Sequence, residues 1–400
     1  MTGGAPEASL WAKEYGLTDE QAKHQQEFAD FAEEHVRPYA DRWDAAEELP
    51  GDVVRALAAR GWLGSPAPAR HGGPGHDAVT FGLLNEAMGH ACSSVRSLLT
   101  VHGMAVQAVS RWGSAALRER WLPQLTSGRT VGAFALTEPE AGSDAADLRT
   151  AAEEVPGGYR LTGTKRWITF GRIAGVYLLF ARAEAGVTAF LVARDSPGLR
   201  VDPVGGLLGT RAAMTAELRL DGCFVPARAV VGRPGFGLAA VAAAALEWGR
   251  YSVAWGCAGL ARACVDASAA YAVSRTQFGR PIGEHQLVQR MLTEMAVGAH
   301  GARLACLHAG RLMDLRSPQA VPAVWSAKYL AAGAAFRAAA DAVQVHGANG
   351  CGAGSPVQRH LRDAKVMEII EGTTEIQQTI IARSVLDRQP NRTEKVHDGP

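Results

Sequence analysis

The chain reads as a multidomain α+β protein, with helices at both ends and strands between them. Three observations predict this. Four hundred residues exceed what one hydrophobic core usually serves, and 47% apolar side chains are enough to bury two or three cores. Apolar positions recur at helical spacing over residues 18–128, change to short alternating or β-branched runs, and return to helical spacing after residue 237. No internal repeat is visible, so the changes mark domains: 1–130 all-α, 131–237 β, 238–387 a helical bundle, and 388–400 a polar tail.

In the first part Phe28, Phe31, Val36 and Tyr39, then Val53, Leu57 and Leu63, repeat at three and four residues. The segment "PARHGGPGHD" (68–77) interrupts them with glycine and proline, and helical spacing resumes in "LLNEAMGH" and "MAVQAVSRWG". From Val131, the runs "VGAFALTE", "YRLTGTKRWITF", "VYLLFARAE", "VTAFLVARD", "LRVDPV" and "AELRLDGCFVP" predict six or seven strands separated by Gly, Pro and Asp. After "VVGRPGFG" come long alanine-rich helices over 238–273, 286–315, 321–346 and 374–387, which suit close side-by-side packing. The first ten residues read as a tail, like the last thirteen.

Charge narrows the function classes. With 41 basic and 40 acidic side chains and no basic run, nothing favours nucleic acid or anionic membrane surfaces. Six scattered cysteines without a CxxC, and a start "MTGGAPEASLWAKEYG" without the basic and apolar regions of an export signal, predict reduced thiols and a cytoplasmic location. The longest apolar stretch, 237–246, is half of what a bilayer crossing needs, so no membrane span is expected. Twelve histidines show no ligand spacing such as HExxH, so no metal site is expected.

Five motifs carry chemistry. In "FALTEPEAGSD" (134–144) turn formers expose backbone N–H groups beside the Thr137 and Ser143 hydroxyls, a cradle for a flavin ring or pyrophosphate, or simply a turn-rich loop. In "KRWITFG" (165–171) Trp167 beside Thr169 suits a flat heterocycle, or a core. In "SRTQFGRPIGEHQ" (274–286) Arg275 and Arg280 either offset a helix dipole or clamp a phosphate. In "DAVQVHGANGCG" (341–352) glycines at a helix end let a pyrophosphate approach backbone. In "MEIIEGTTE" (367–375) Glu371 follows two isoleucines and precedes Gly372. Read locally, it is a surface residue at a helix end, with Gly372 the left-handed stop and Thr374 capping the next helix in a box with Gln377.

Taken in order, these motifs resemble the acyl-CoA dehydrogenase family over residues 20–386. The matching wording is "LTEPEAGSD", "KRWIT", "LLGTRAAMTAELRLDGCFVP" with Gly209, Arg211, Thr215 and Pro226, "RTQFGRPIGEHQ", "QVHGANG" and "EGTTEIQQTIIAR". The resemblance implies an N-terminal helical domain, a middle β-barrel or sandwich and a C-terminal four-helix bundle. FAD would lie between them and reach a neighbouring subunit of a homotetramer or homodimer. Phe134, Leu136, Thr137, Gly142 and Ser143, with Trp167 and Thr169, would touch the isoalloxazine and pyrophosphate. Arg275, Gln277 and Phe278, with Gln344 and Gly347 from another chain, would hold the adenosine diphosphate part. Thr373 and Glu375 would touch the same cofactor.

The family also implies that Glu371 is the base removing an α-proton. Its other place for a base, just before Arg250, is Gly249 here, and Glu247 is the next candidate. Arg250, Val253, Ile370 and Gly372 would border the substrate. Burial against Ile369, Ile370 and the acyl chain is expected to raise the Glu371 pKa more than the next helix lowers it. The Glu371 N–H and a ribityl hydroxyl would steady the enolate oxygen.

Some wording departs from the fatty-acid enzymes. Phe170 stands where asparagine is usual, and "CSSVRS" (92–97) and "RYSVAWGC" (250–257) resemble the branch acting on acyl-carrier-protein substrates in hydroxymalonyl and methoxymalonyl extender-unit synthesis. The expectation is a dehydrogenase of a short acyl or hydroxyacyl thioester on a carrier protein, passing electrons to an electron-transfer flavoprotein or another acceptor. The alternatives are a general short-chain acyl-CoA dehydrogenase and a flavin-free binding protein on the same scaffold. Arg96 and Arg211 are candidates for a local positive patch facing an acidic carrier protein, or plain solvated arginines. Tyr251 and Trp255 are expected either to narrow the acyl pocket or to be core.

Overall fold

The computed structural model describes residues 15–65 and 67–387; the expected tails, 1–10 and 388–400, lie outside the described residues. Among the described residues six α-helices come first: α1 (Asp19–His35), α2 (Ala40–Ala46), α3 (Gly51–Ala59), α4 (Ala78–Ala91), α5 (Ser93–Trp112) and α6 (Ala115–Thr126). A capping box between Thr18 and Gln21 starts α1. Every residue of α4 is buried, since α1 covers one side and C-terminal helices the other. Its apolar composition all round is that of a core helix.

Strands β1 (Gly132–Ala135), β2 (Ala151–Val155), β3 (Gly158–Ile168), β4 (Val176–Ala183), β5 (Gly186–Ala193), β6 (Leu199–Pro203), β7 (Ala216–Pro226) and β8 (Val230–Val231) form one sheet in the order β6-β7-β3-β2-β4-β5-β8. Strand β1 pairs in parallel with the first half of β4, and β2 continues along the same flank at Ala151 opposite Arg182. Val176, Leu178 and Phe180 of β4 face the helices, while Tyr177, Leu179 and Ala181 face the interior of the β-domain. Burial on both faces explains the unbroken apolar run. Strand β2 escaped the sequence reading because "AAEEV" is built from weak strand formers; the turn at Gly157, φ 83°, folds it onto β3.

The C-terminal part comprises α7 (Ala243–Ser274), a hairpin of β9 (Thr276–Gln277) and β10 (Arg280–Pro281), α8 (Gln286–Asp314), α9 (Ala320–His346), α10 (Ala348–Cys351), α11 (Val357–Met367) and α12 (Thr374–Leu386). The long helix α7 packs on α4, α5, α8 and α9, and one core runs from α1 to α11. Buried alanines at 327, 331, 334, 335, 338, 339 and 342 let α9 approach its neighbours closely. Helix α11 was not expected, because its inward face carries Arg359, His360 and Asp363 and so hides the apolar period. No helix among the described residues is long and apolar enough to cross a membrane.

Candidate active site

The turn between α11 and α12 has an unusual backbone. Glu371 has φ 56° and Gly372 φ 92°. The left-handed conformation costs a non-glycine residue about 1–2 kcal/mol, and side chains from three helices hold it. Arg250 Nε donates to the Glu371 carbonyl at 3.0 Å, Lys328 Nζ to the Gly372 carbonyl at 2.8 Å, and Gln377 Nε2 to both at 3.2 Å. The Arg250 guanidinium lies 3.8 Å from the Trp325 ring centre. Thr373, not Thr374, caps α12, accepting from Ile376 N–H at 3.3 Å, so Gln377 is free for the turn rather than closing a capping box.

With both carbonyls clamped, the Glu371 N–H meets no acceptor among the described residues. The carboxylate lies over Gly249 of α7: a Cβ there would be 2.5 Å from Glu371 Oε2 and 2.9 Å from Met104 Sδ. Oε2 is buried without a hydrogen-bond partner. Burial pushes the Glu371 carboxyl above its ordinary value, and Arg250, Lys328 and Arg96 oppose this without cancelling it. Of the two isoleucines only Ile370 is half-buried and packs against the core. Ile369 is 54% exposed, and the burial comes from the seam between α5 and α7. Glu247 lies about 200° around α7 from Gly249, away from this seam. Val253, Tyr251 and Trp255 are fully buried; Tyr251 Oη donates to the Ala78 carbonyl at 2.9 Å, so the two aromatics are core and do not narrow a pocket.

The β-domain contributes a braced loop. Lys165 Nζ pairs with Glu138 at 2.6 Å and donates to the Leu136 carbonyl at 3.0 Å, while Glu138 accepts from the Arg149 and Thr150 N–H groups at 2.6 and 2.9 Å. Burial pushes Lys165 down to about 8. These bonds join both ends of 136–150, leaving Gly142 and Ser143 exposed at the tip and Phe134 and Thr137 half-buried at its base. Trp167 sits in an irregularity of the β3–β7 pairing, with φ 62°. A bulge re-aims its side chain, and the indole stands 49% exposed beside half-buried Thr169. Phe170, at φ 54°, is buried and donates its N–H to the Ala213 carbonyl at 2.8 Å. An exposed indole, free hydroxyls and exposed backbone form a donor set that fits a flat heterocycle with a phosphate attached.

Thr373 is half-buried and Glu375 exposed, both at the start of α12. Arg275, Gln277 and Phe278 lie on the β9–β10 hairpin, with Phe278 94% exposed. Gln344 and Gly347 end α9, where His346 stacks on Tyr271 at 4.3 Å between ring centres. The hairpin and the α9 end therefore share one end of the bundle within a single chain. Arg250 and Arg275 are 25 residues apart on α7, about 37 Å at helical rise. Arg96 is 1% exposed and Arg211 pairs with Glu47 at 2.6 Å, so neither builds a surface patch. Two clefts do flank α6, one lined by Arg70, His71 and Arg118, the other by Arg120, Gln124 and Arg194; neither includes the Glu371 turn. Lys328, Gln377 and Met104 were missed by sequence reasoning; a lone lysine inside the alanine run of α9 was the available signal.

Profiles of three acyl-CoA dehydrogenase domains match this chain: the N-terminal domain over 18–129, the middle domain over 133–223 and the C-terminal domain over 235–386. An "Acyl-CoA dehydrogenase" of Bacillus subtilis (strain 168) is 36% identical, covering 92% of this chain and 99% of that protein. The solved structure "FkbI for Biosynthesis of Methoxymalonyl Extender Unit of Fk520 Polyketide Immunosuppresant" is 38% identical with a TM-score of 0.84, covering 92% and 100% of the two chains. That of the "Prolyl Acyl Carrier Protein Oxidase AnaB" is 29% identical with a TM-score of 0.87, covering 92% and 99%.

Proposed function

The chain belongs to the acyl-CoA dehydrogenase family of FAD-dependent oxidoreductases, and from that premise we propose that it oxidises a short acyl or hydroxyacyl thioester carried on an acyl carrier protein, with Glu371 as the base. One observation carries the assignment of the base: a carboxylate oxygen buried without a partner, on a turn whose carbonyls are clamped and whose own N–H is free.

Glu371 Oε2 receives the α-proton. Its raised pKa makes it a stronger base than an exposed carboxylate. The unpaired Glu371 N–H donates to the thioester oxygen as negative charge gathers there, a donor already oriented by Arg250, Lys328 and Gln377. When bound, FAD accepts the hydride that leaves the oxidised carbon. The 134–143 loop, Trp167 and Thr169 would hold its ring and pyrophosphate, and Thr373 and Glu375 would border it. The adenosine diphosphate part belongs to Arg275, Gln277, Phe278, Gln344 and Gly347. Since these stand about 37 Å along α7 from the Glu371 turn, the residues that would hold the two ends of FAD would come from more than one chain. A homotetramer or homodimer follows, with an electron-transfer flavoprotein or another acceptor taking the electrons onward.

The carrier-protein reading draws its support from the likeness to FkbI and to the carrier-protein oxidase AnaB; the likeness to the Bacillus acyl-CoA dehydrogenase supports a general acyl-CoA dehydrogenase instead. Anaerobic stopped-flow bleaching by one acyl group on both carriers separates them. The carrier-protein thioester is expected to win by at least about tenfold in kcat/KM, roughly 1.4 kcal/mol. Equal or faster bleaching by the CoA thioester assigns the general enzyme, and a colourless protein that takes up no FAD overturns both.

A further inference from the structure

Arginines crowd one face of the molecule. Around α6 stand Arg70, Arg111, Arg118, Arg120, Arg129 and Arg194, all exposed except the half-buried Arg118. They form one surface. Arg70, His71 and Arg118 line the cleft on one side of α6, and Arg120 and Arg194 the cleft on the other. Arg118 Nη2 reaches back to the Arg111 carbonyl at 3.5 Å, and Arg129 Nη2 to the Pro123 carbonyl at 3.5 Å. Glu119 and Asp195 are the carboxylates in the two clefts, so six positive charges meet two negative ones in a chain whose net charge is only +1.

These side chains are held in place without being neutralised. Among the described residues none of the six pairs with a carboxylate, whereas Arg166 and Arg211 elsewhere in the chain pair with Glu217 and Glu47. Arg111 and Arg120 lie over the Trp112 and Trp121 rings at 5.4 and 5.2 Å, and Arg194 donates to the Gly171 carbonyl at 3.2 Å and to Tyr177 Oη at 3.1 Å. Arg118 Nε is buried without a partner. Burial, and then the charges of Arg70 and Arg118, hold His71 below its ordinary value, so the three converge on one cleft. Neutral partners orient a guanidinium and leave its charge uncompensated, which preorganises it for carboxylates or a phosphodiester outside the protein. The face is also close to the chemistry. The Leu125 carbonyl of α6 accepts from His102 Nε2 at 3.1 Å, two residues along α5 from the Met104 that borders the Glu371 carboxylate. Packed helices lie about 8–10 Å apart, and Arg111 is seven residues, about 10 Å, from Met104 along α5. An extended phosphopantetheine arm is longer than either span.

We propose that the arginine-rich face of α6 is the docking surface for the acidic carrier protein that presents the acyl thioester. This rests on the carrier-protein reading above and adds to it where that partner binds. Acidic side chains of the carrier meet the exposed arginines, and the phosphodiester that tethers its arm suits the cleft where Arg70, His71 and Arg118 converge. Complementary charge speeds encounter and fixes orientation, so the signature of this face lies in association and salt dependence and not in the oxidation itself.

The test measures flavin bleaching of the FAD holoenzyme by a butyryl thioester on an acidic carrier protein and on CoA. Arg70→Glu combined with Arg120→Glu, one reversal in each cleft, is expected to lower kcat/KM for the carrier thioester at least about tenfold and to change that for the CoA thioester by less than about twofold. The same reversal on β3, Arg160→Glu, is expected to change neither. Raising the ionic strength from about 0.01 to 0.15 M shortens the Debye length from about 30 to 8 Å, and in the wild type this should slow the carrier reaction more than the CoA reaction. Should the double variant not fold, that comparison decides, and a carrier reaction indifferent to salt overturns the docking face. So does a double variant with wild-type carrier kinetics, which leaves the carrier preference standing, or one that slows both thioesters equally, which marks a structural effect. A loss confined to flavin reoxidation by an electron-transfer flavoprotein overturns it too and assigns the face to the acceptor. A wild type bleached no faster by the carrier thioester than by the CoA thioester overturns the carrier-protein reading itself.

Discussion

A methyl group on residue 249 would sit 2.5 Å from Glu371 Oε2, so the carboxylate holds its place only because α7 carries glycine there. Gly249→Ala should displace it and slow flavin bleaching by about 10²-fold, the usual cost of a displacement near 1 Å, with FAD content unchanged; an unaltered rate would show that the carboxylate works from elsewhere. Burial raises the Glu371 pKa above that of an exposed glutamate, and only the ionised form accepts a proton. The kcat/KM of the wild type should therefore rise with pH through a value above that of an exposed glutamate, and a limb at or below the exposed value would contradict the burial. Stability runs the opposite way. The contribution of protonated Glu371 is full below the unfolded-state pKa and is lost as pH rises through the folded one. Glu371 itself was legible from "EGT", but the reason for its basicity was not. Glu371 takes a positive φ and Ile369 is exposed, and no spacing rule reports a backbone conformation that distant donors hold.

Loops and helices around the turn are held by charged groups that sequence patterns hide. Helix α11 ties three parts together: Asp363 accepts the Thr210 N–H at 2.6 Å, and Arg362 bonds Asp44 at 2.6 Å and the Leu208 carbonyl at 2.9 Å. Because its inward face is charged, its apolar period could not be read. In the β-domain the Lys165–Glu138 pair does the same for the 136–150 loop. Lys165→Met leaves a buried carboxylate unpaired and should destabilise the protein by about 3–5 kcal/mol in denaturant unfolding, with weaker FAD retention. Adding Glu138→Gln should recover part of that loss, because the two residues act as a unit; strictly additive losses would deny the coupling. The cradle motif "LTEPEAGSD" was visible in the sequence, whereas the bulge that turns Trp167 outward arises from strand register and was not.

At the scale of the molecule, the order of helices, sheet and bundle was legible because each part has its own apolar period. The division of the cofactor site between chains was not legible, since motif wording carries no distances. The C-terminal bundle leaves Phe278 on the β9–β10 hairpin 94% exposed and Leu287 of α8 74% exposed. Phe278→Ser should weaken subunit association and lower FAD content together, by light scattering and the ratio of flavin to protein absorbance; dissociated protein that keeps its flavin would contradict a site shared between chains. Through all three scales the account depends on one carboxylate. Its most direct test is the rate of substrate-driven flavin bleaching by Glu371→Gln holoenzyme. The account predicts a protein that is folded, yellow and slower than wild type by about 10²–10⁴-fold, the usual contribution of a general base. Bleaching at the wild-type rate would contradict it and place the base elsewhere.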